Sequence, residues 1–385
     1  MIQFLEESKK TSKIIATLSG EVKNDVLNQM ADALEKHCDY IISHNNTDMK
    51  EGKANKLSDD LMDRLLLTGE RVNGMAQAIR EIAALKEPVG RTLEGWVTQE
   101  GLNIQKVSVP IGVIGIIYES RPNVTSDTAA LCFKSGNVCV LKGGKEAEHS
   151  NKAIAAVLQD VLTKNKLPQH AISLLPDSSR KGVDNLIKQD KYVDLIIPRG
   201  GEALIKHVCQ NSSVPVIKHD KGLCHTYIDK NADAQMAINI AVNAKCQRPG
   251  VCNAMETLLV HKDIATLILP ALHEAFIQEK TELRGCDFTR KLIDIKCATE
   301  EDYDTEYLAN TLSIKIVKNV KEAVFHINKY GSGHSEAIIS ENYTAVNYFL
   351  DTVDAAAVYA NASTRFTDGG AFGFGAEVGI STNKL

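Results

Sequence analysis

The chain lacks the segments that send a protein into or across a membrane. Its first ten residues mix Glu6, Glu7, Lys9 and Lys10 with a few apolar residues, so they contain no signal-peptide core. No apolar run approaches the length of a membrane span. These absences predict a cytoplasmic protein with no membrane association.

Cysteine pairs at metal-binding spacing and an excess of positive charge are also missing. The nine cysteines are an odd number without a Cys-x-x-Cys motif, so they fit neither a disulfide framework nor a zinc site. We therefore expect reduced thiols and no structural metal. The formal net charge is -5, which gives no general attraction to nucleic acid, and we predict that none is bound.

The 385 residues exceed one ordinary hydrophobic core, so two or more domains are expected. From residue 11 to about 85, apolar residues recur at helical spacing, as at Leu61, Leu65 and Val72, which predicts an all-helical section. Residues 92–109 instead alternate around Glu100-Gly101, the pattern of a projecting β-hairpin.

Short apolar runs separated by helix-length segments fill the rest of the chain. This alternation predicts α/β architecture with two doubly wound, parallel domains that meet near Lys221-Gly222. The predicted strands are 113–118, 138–141, 172–175, 195–197 and 214–217 in the first domain, and 226–228, 257–260, 314–317, 337–339 and 357–359 in the second.

Dinucleotide binding would suit the first domain, yet the Gly-x-Gly-x-x-Gly fingerprint is missing. Gly112 and Gly115 lie within a predicted strand, which favours close packing against a neighbour. Better candidates end two strands: Lys142-Gly143-Gly144 could meet ribose or phosphate oxygens, and Arg199-Gly200-Gly201 opens a helix whose amides could bind a pyrophosphate. Either glycine pair could instead be a plain turn.

One cysteine has the surroundings of a nucleophile. Cys252 follows Arg248, Pro249 and Gly250 and precedes a predicted strand, so it is expected on a loop entering a sheet. A nearby cation favours the thiolate that attacks carbonyl carbon. The alternative is a small buried hydrophobe, the role of most free cysteines.

Several strings together resemble the gamma-glutamyl phosphate reductase branch of the aldehyde dehydrogenase superfamily, in the family's order and over almost the whole chain. They are PIGVIGIIYESRPNVT (110–125), LKGGKEA (141–147), QRPGVCNAMET (247–257), NASTRFTDGG (361–370) and GFGAEVGIST (373–382). The resemblance implies an aldehyde dehydrogenase-like fold with an oligomerisation hairpin. It also implies NADPH-dependent reduction of L-glutamate 5-phosphate to L-glutamate 5-semialdehyde and phosphate, the second step of proline biosynthesis.

The same resemblance assigns catalytic roles. Cys252 would attack the acyl phosphate to form a thioester, and the Cys252 amide with Asn123 would stabilise the oxyanion. A turn or helix cap remains the alternative for Asn123. Hydrolytic members of the superfamily have a sequence similar to Glu-Leu-Gly-Gly-Lys at this point, and its glutamate is the base that activates water. Residues 217–222 here are Ile-Lys-His-Asp-Lys-Gly, so the resemblance implies that this base is missing. A reductase needs none.

Cofactor and substrate contacts are also implied by similarity. Lys142 would lie near the adenosine ribose and, with Lys145, favour NADP over NAD by meeting a 2′-phosphate. Glu306 resembles the glutamate that binds the nicotinamide ribose, although it could equally be a helix-starting acid. The candidates for substrate contacts are Arg121, Arg248, Ser363, Thr364 and Arg365, and a structural ion pair is the alternative for each arginine.

The expected organisation follows the family. Residues 1-90 and 111-222 would form the NADP-binding domain, and 223-371 the catalytic domain. Residues 91-110, with part of 372-385, would join subunits in a homo-oligomer, and functional coupling to glutamate 5-kinase is expected. The family resemblance further predicts a segment like HARGPMGL beyond the C-terminal residues. The alternatives are another aldehyde dehydrogenase, for example a CoA-acylating one, and a non-catalytic binding protein on the same fold.

Overall fold

A computed structural model of the chain describes residues 2–217 and 221–382. These residues fall into two compact units, one on each side of the break at 218–220. Within the described ranges, no helix is both long and apolar enough to cross a membrane.

The first unit opens with the predicted helical section. Ser19, Ser58 and Thr68 cap three of its helices by accepting a hydrogen bond from a backbone N–H three residues ahead. In the last helix, the buried residues Val72 and Ile79 lie on one face, which is why the apolar spacing predicted helices. The helices are α1 Ile2–Ile15, α2 Gly20–Lys36, α3 Cys38–Ala54, α4 Asp59–Leu65 and α5 Gly69–Ala84.

The predicted β-hairpin is confirmed. Strands β1 Thr92–Val97 and β2 Asn103–Val107 pair antiparallel, with Trp96 opposite Ile104. Gly101 adopts a φ of +86° in the connecting turn, a conformation that glycine adopts without strain. Every residue of β1 is exposed within this chain, so the hairpin buries little apolar surface of its own.

A four-stranded parallel sheet in the order β5-β4-β3-β6 completes the first unit. Its strands are β3 Val113–Tyr118, β4 Val138–Lys142, β5 Ile172–Leu174 and β6 Leu195–Arg199, and its helices are α6 Asn123–Lys134, α7 Glu148–Lys164, α8 Arg180–Leu186 and α9 Glu202–Asn211. The predicted strand at 214–217 is wrong. Only an isolated bridge joins Ile196 to Val216, because Pro215 has no N–H to continue a ladder.

The glycines at the start of β3 serve packing, as expected. A Cβ on Gly115 would lie 2.5 Å from the Cδ1 of Ile196 on the neighbouring strand. Gly112 has a φ of +126°, and a Cβ there would lie 3.0 Å from the carboxyl carbon of Asp194. Neither glycine therefore marks a nucleotide-binding turn.

The second unit contains a seven-stranded sheet, all parallel, in the order β10-β9-β11-β8-β7-β12-β13. The strands are β7 Cys224–Ile228, β8 Met255–His261, β9 Glu282–Gly285, β10 Lys296–Cys297, β11 Thr311–Val317, β12 Ser335–Ile339 and β13 Ala357–Ala360. The helices are α10 Ala234–Cys246, α11 Lys262–Gln278, α12 Asp287–Arg290, α13 Val320–Tyr330 and α14 Tyr343–Thr352.

Two apolar clusters cover the faces of this sheet. One includes Leu258 and Ile314, and the other includes Tyr227 and Phe349. Five of the seven strands were predicted from such apolar runs. The sequence pattern missed β9 and β10, because these two short strands consist largely of charged and small residues.

Candidate active site

Cys252 lies in the turn that connects α10 to β8 and is half-buried. The N–H of Ala254 donates to the carbonyl of Val251 at 3.0 Å, which closes the turn. Asn253 donates from Nδ2 to the carbonyl of Thr367 at 2.9 Å, and Thr364 donates from Oγ1 to the carbonyl of Asn253 at 2.7 Å. The cysteine therefore lies on a loop that enters the sheet, as predicted, and hydrogen bonds from neighbouring residues fix this loop.

The backbone of Cys252 rests on residues that precede and begin β7. A Cβ on Gly222 would lie 2.5 Å from the carbonyl carbon of Cys252 and nearer still to its oxygen, so only glycine fits there. The thiol of Cys224 donates to the same carbonyl at 3.2 Å, and burial raises the pKa of Cys224 well above its usual range. It is therefore a protonated donor. Neither contact was predicted from the sequence.

Two arginines, Arg248 and Arg365, lie near this turn. Arg365 donates through its guanidinium to the side-chain oxygens of Asn253 and Gln247. Burial and the charge of Arg248 lower the pKa of Arg365, whose charge also interacts with Cys252. Positive charge beside a cysteine favours the thiolate and attracts an anionic substrate. Arg248, Cys252 and Arg365 are thus brought together as the sequence suggested.

Ser363 and Thr364 are both buried and engaged in the loop's own structure. The Oγ of Ser363 accepts from the N–H of Arg365 at 3.2 Å, while Thr364 donates to Asn253. Their hydroxyls therefore shape the loop that carries Arg365.

Glu306 is tied to the support of Cys252. Its Oε1 accepts the N–H of Gly222 at 2.9 Å. It lies in irregular chain after a short 3-10 turn at Asp302–Asp304, so the alternative of a helix-starting acid is wrong. Residues 218–220, part of the stretch in which we predict no water-activating base, lie outside the described residues.

Beneath the same turn is a buried ion pair that the sequence did not predict. Lys245 Nζ lies 2.6 Å from Glu256 Oε2, and both side chains are 0% exposed. Burial raises the pKa of Glu256 to about 7 and lowers the pKa of Lys245, in each case against the attraction between the two groups. Taken singly in the sequence, each residue resembles an ordinary surface charge.

In the first unit, Lys142 ends β4 beside a pocket of about 190 Å³. A Cβ on Gly143 would lie 3.2 Å from the side-chain carbon of Asn151, so the chain passes closely here. Burial lowers the pKa of Lys142, and Lys145 is exposed just beyond it. The pocket is lined by Leu141, Lys142, Gly143, Gly144, Glu148, Asn151, Lys152, Leu174, Leu175, Pro176 and Ser178. Its lysines and its position at the carboxyl ends of β4 and β5 fit an anionic nucleotide.

The predicted pyrophosphate site contains a carboxylate. Arg199 ends β6, and Gly201 is the N-cap of α9. The N–H of Gly201 donates to Glu119 Oε2 at 3.0 Å, and a Cβ on Gly200 would lie 2.7 Å from the Glu119 carboxyl carbon. A cofactor phosphate at this helix N-terminus must therefore displace Glu119.

Asn123 is the first residue of α6, after the exposed Arg121. Its Nδ2 donates to Asp127 Oδ2 at 2.9 Å, and its side chain does not cap the helix, whose N-cap is Pro122. Burial raises the pKa of Asp127 to about 6, against hydrogen bonds from Asn123 and Ser126. Asn123 thus follows β3, and Lys142 and Arg199 end the neighbouring strands β4 and β6, so all three lie at the carboxyl ends of adjacent parallel strands.

Among the described residues, Asp48, Glu51 and His149 form a group with metal-ligating atoms in reach of one another. The Asp48 carboxylate already accepts the N–H groups of His149 and Ser150, with Ser150 donating from its hydroxyl as well. It caps the start of α7, and we assign no metal to it.

Comparison with known proteins identifies the family to which the chain belongs. The sequence profile of the aldehyde dehydrogenase family matches residues 2–284, and the chain belongs to this family. A gamma-glutamyl phosphate reductase of Aliarcobacter butzleri is 66% identical over 385 residues, which cover 100% of this chain and 93% of that protein. One of Sulfurovum sp. is 65% identical, with 100% and 94% covered. The crystal structure of the Thermotoga maritima gamma-glutamyl phosphate reductase superposes with a TM-score of 0.97 at 43% identity, covering 100% of this chain and 93% of that one.

Proposed function

We propose that the chain catalyses NADPH-dependent reduction of L-glutamate 5-phosphate to L-glutamate 5-semialdehyde and phosphate, the second step of proline biosynthesis. The observation that carries this proposal is the half-buried Cys252, on a fixed turn between Arg248 and Arg365. The names of relatives at up to 66% identity agree with it.

The reaction proceeds in two substitutions at one carbon. The Cys252 thiolate attacks the acyl carbon, the bond from that carbon to the phosphate oxygen breaks, and phosphate departs. The product of this first step is a thioester on Cys252. Bound NADPH would supply a hydride to that carbon. The resulting oxyanion collapses to the aldehyde and returns the electron pair of the C–S bond to sulfur. The Cys252 amide and Asn123 are the proposed oxyanion donors, each worth about 3 kcal/mol of transition-state stabilisation.

The proposed binding residues are grouped by the part of the cofactor or substrate that each would contact. Lys142, Gly143, Gly144 and Lys145 would hold the adenosine end, with Lys145 meeting the 2′-phosphate of NADP. Arg199, Gly200 and Gly201 would hold the pyrophosphate after Glu119 moves away, and Glu306 the nicotinamide ribose. Arginine forks suit the phosphate and α-carboxylate of the substrate, so Arg121, Arg248 and Arg365 are proposed for these groups, within the loop shaped by Ser363 and Thr364.

The test follows NADP reduction with glutamate semialdehyde while phosphate is varied. We expect turnover to require phosphate and to disappear in Cys252→Ala. Cys246→Ala is the matched control, because Cys246 interacts with Thr281 outside the turn and should be dispensable. Turnover that ignores phosphate, or that requires CoA instead, would favour the CoA-acylating alternative. Survival of activity in Cys252→Ala would refute the mechanism.

We also propose a homo-oligomer joined by the 91-110 hairpin and part of 372-385, with 1-90 and 111-222 as the NADP-binding domain and 223-371 as the catalytic domain. Leu93, Trp96, Val97 and Phe374 support this assembly, because each exposes at least half of its surface within one chain. Nine free cysteines suit the reducing cytoplasm, and coupling to glutamate 5-kinase would protect the reactive acyl phosphate. Sedimentation of Trp96→Glu should show smaller particles than the unaltered protein.

A further inference from the structure

The ion pair between Lys245 and Glu256 closes the base of the loop that carries Cys252. Lys245 lies in the last turn of α10, and Glu256 is the second residue of β8. The segment between them, residues 246–255, is here called the nucleophile loop. The Nζ–Oε2 distance of 2.6 Å fixes the two ends of this loop against each other.

The same pair contacts the segment that carries Glu306. The backbone N–H of Leu308 is directed at the Glu256 carboxylate, and Lys245 Nζ lies 5.9 Å from the centre of the Tyr307 ring. Leu308 has a φ of +50°, in the left-handed region that leucine rarely adopts, so its neighbours must hold it there. Glu306, two residues earlier, accepts from Gly222, which in turn packs on Cys252.

Stability is a poor explanation for this pair. Both charges are withdrawn from water, and the second carboxylate oxygen of Glu256 has no hydrogen-bond partner within the described part of the chain. Replacing a buried ion pair by apolar residues of similar size is often neutral or stabilising, whereas removing one partner leaves an isolated charge. The structure therefore retains a costly arrangement at the point where two functional segments meet.

We propose that Lys245 and Glu256 are positioning residues, which hold the nucleophile loop and the Glu306 segment in one fixed relation. Neither residue touches the reacting atoms. The pair acts through the backbone of the loop on one side and through Leu308 and Glu306 on the other. This inference rests on the proposed function only in taking Cys252 as the nucleophile.

The test separates stability from positioning with Lys245→Met, Glu256→Met and the double variant. Urea unfolding gives stability, and the rate of Cys252 alkylation by iodoacetamide, followed on its own peptide, gives the state of the loop without substrate or cofactor. We expect each single variant to lose stability and the double variant to regain it. Alkylation of Cys252 and kcat should nevertheless stay about tenfold or more below the wild-type values in the double variant, because the loop is displaced.

Two further variants complete the design. Asp287→Met with Arg290→Met removes an exposed ion pair on α12 and should leave every measurement unchanged. Glu256→Gln keeps the side-chain shape and serves if the methionine variants do not fold; it should slow alkylation while the circular dichroism spectrum is preserved. Wild-type alkylation and kcat in the double variant, or in Glu256→Gln, would overturn the proposal. Loss of phosphate dependence would instead count against the proposed function alone.

Discussion

Gly222→Ala is the substitution for which the structure gives the most definite expectation. The added Cβ would lie 2.5 Å from the Cys252 carbonyl carbon, whereas ordinary contact begins at 3.4 Å. The three nearest opposing atoms belong to the Cys252 backbone, so rotation of a side chain cannot relieve the contact. The Cys252 turn must therefore retreat by about 1 Å, or Gly222 must withdraw and release its hydrogen bond to Glu306.

Either response has a calculable effect. A displacement of about 1 Å at a reacting group costs roughly 100-fold in rate. Overpacking of this kind destabilises by about 1 to 3 kcal/mol, and the lost hydrogen bond to a carboxylate adds about 1.5 kcal/mol or more. We therefore expect kcat to fall by about two orders of magnitude while the protein still folds.

The assay is phosphate-dependent NADP reduction with glutamate semialdehyde, measured beside urea unfolding. Gly250→Ala is the matched control, because its Cβ would meet only the Leu308 carbonyl at 3.4 Å, at a position two residues from the same cysteine. It should retain nearly wild-type kcat. If Gly222→Ala matched Gly250→Ala in kcat, the backbone contact would not position the nucleophile and the reasoning would be wrong.

Three other predictions can be checked by binding and unfolding. Lys145→Glu should weaken NADP binding by about tenfold or more in calorimetric titration and leave NAD binding nearly unchanged, since only NADP carries the 2′-phosphate. Burial raises the pKa of Asp127 from 3.8 to about 6, so its contribution to stability falls as the pH rises from about 4 to about 6. Asp127→Asn should remove at most about 3 kcal/mol of this fall, seen as a melting-temperature difference that grows across that window and then stays constant. Gly112→Ala should destabilise by about 2 kcal/mol or more in urea, because it combines a φ of +126° with a clash against Asp194, whereas Gly74→Ala in open space should be neutral or stabilising.

Much of the fold could be predicted because the buried strands are short apolar runs. Strand β3 begins and ends at the predicted residues, and β8 extends the predicted run by two residues before it and one after. Strand prediction failed where the apolar character of a segment did not indicate whether its backbone pairs with another strand. Val214–Ile217 is apolar but interrupted by Pro215, and β9 pairs through its backbone although Glu282 and Arg284 face an ion-pair network.

Residues of the candidate site were likewise predicted in part from the sequence and in part missed. Cys252 could be singled out as a candidate because its neighbours Arg248, Pro249 and Gly250 are adjacent in sequence, and similarity supplied its proposed role and those of the other residues. Cys224 could not be identified, because its function is a contact with a carbonyl 28 residues away. A buried thiol of this kind has the sequence pattern of any core cysteine.

Within each sheet the proposed site residues lie at one end of the strands, and that end differs between the two sheets. In the first, Lys142 and Arg199 are the carboxyl-terminal residues of their strands, where open parallel sheets commonly bind ligands. In the second, Cys252 precedes β8, and the buried ionisable residues His225, Glu256 and Glu336 are each the second residue of their strand. Neighbouring strands align these positions, since Glu336 lies opposite His225, and His225 lies opposite the residue after Glu256.

This row of buried ionisable residues is a part of the second unit that sequence rules did not predict. His225 Nδ1 lies 3.0 Å from Glu336 Oε2, both side chains are 0% exposed, and burial raises the pKa of Glu336. Such pairs interrupt apolar strands at their amino ends. The rule that ligands bind at the carboxyl ends of parallel strands therefore does not predict them. Desolvation of His225, Glu256 and Glu336 is costly, and all three residues lie at the end of the sheet that supports Cys252. The amino-terminal ends of β7, β8 and β12 are therefore where substitutions should separate activity from stability most clearly.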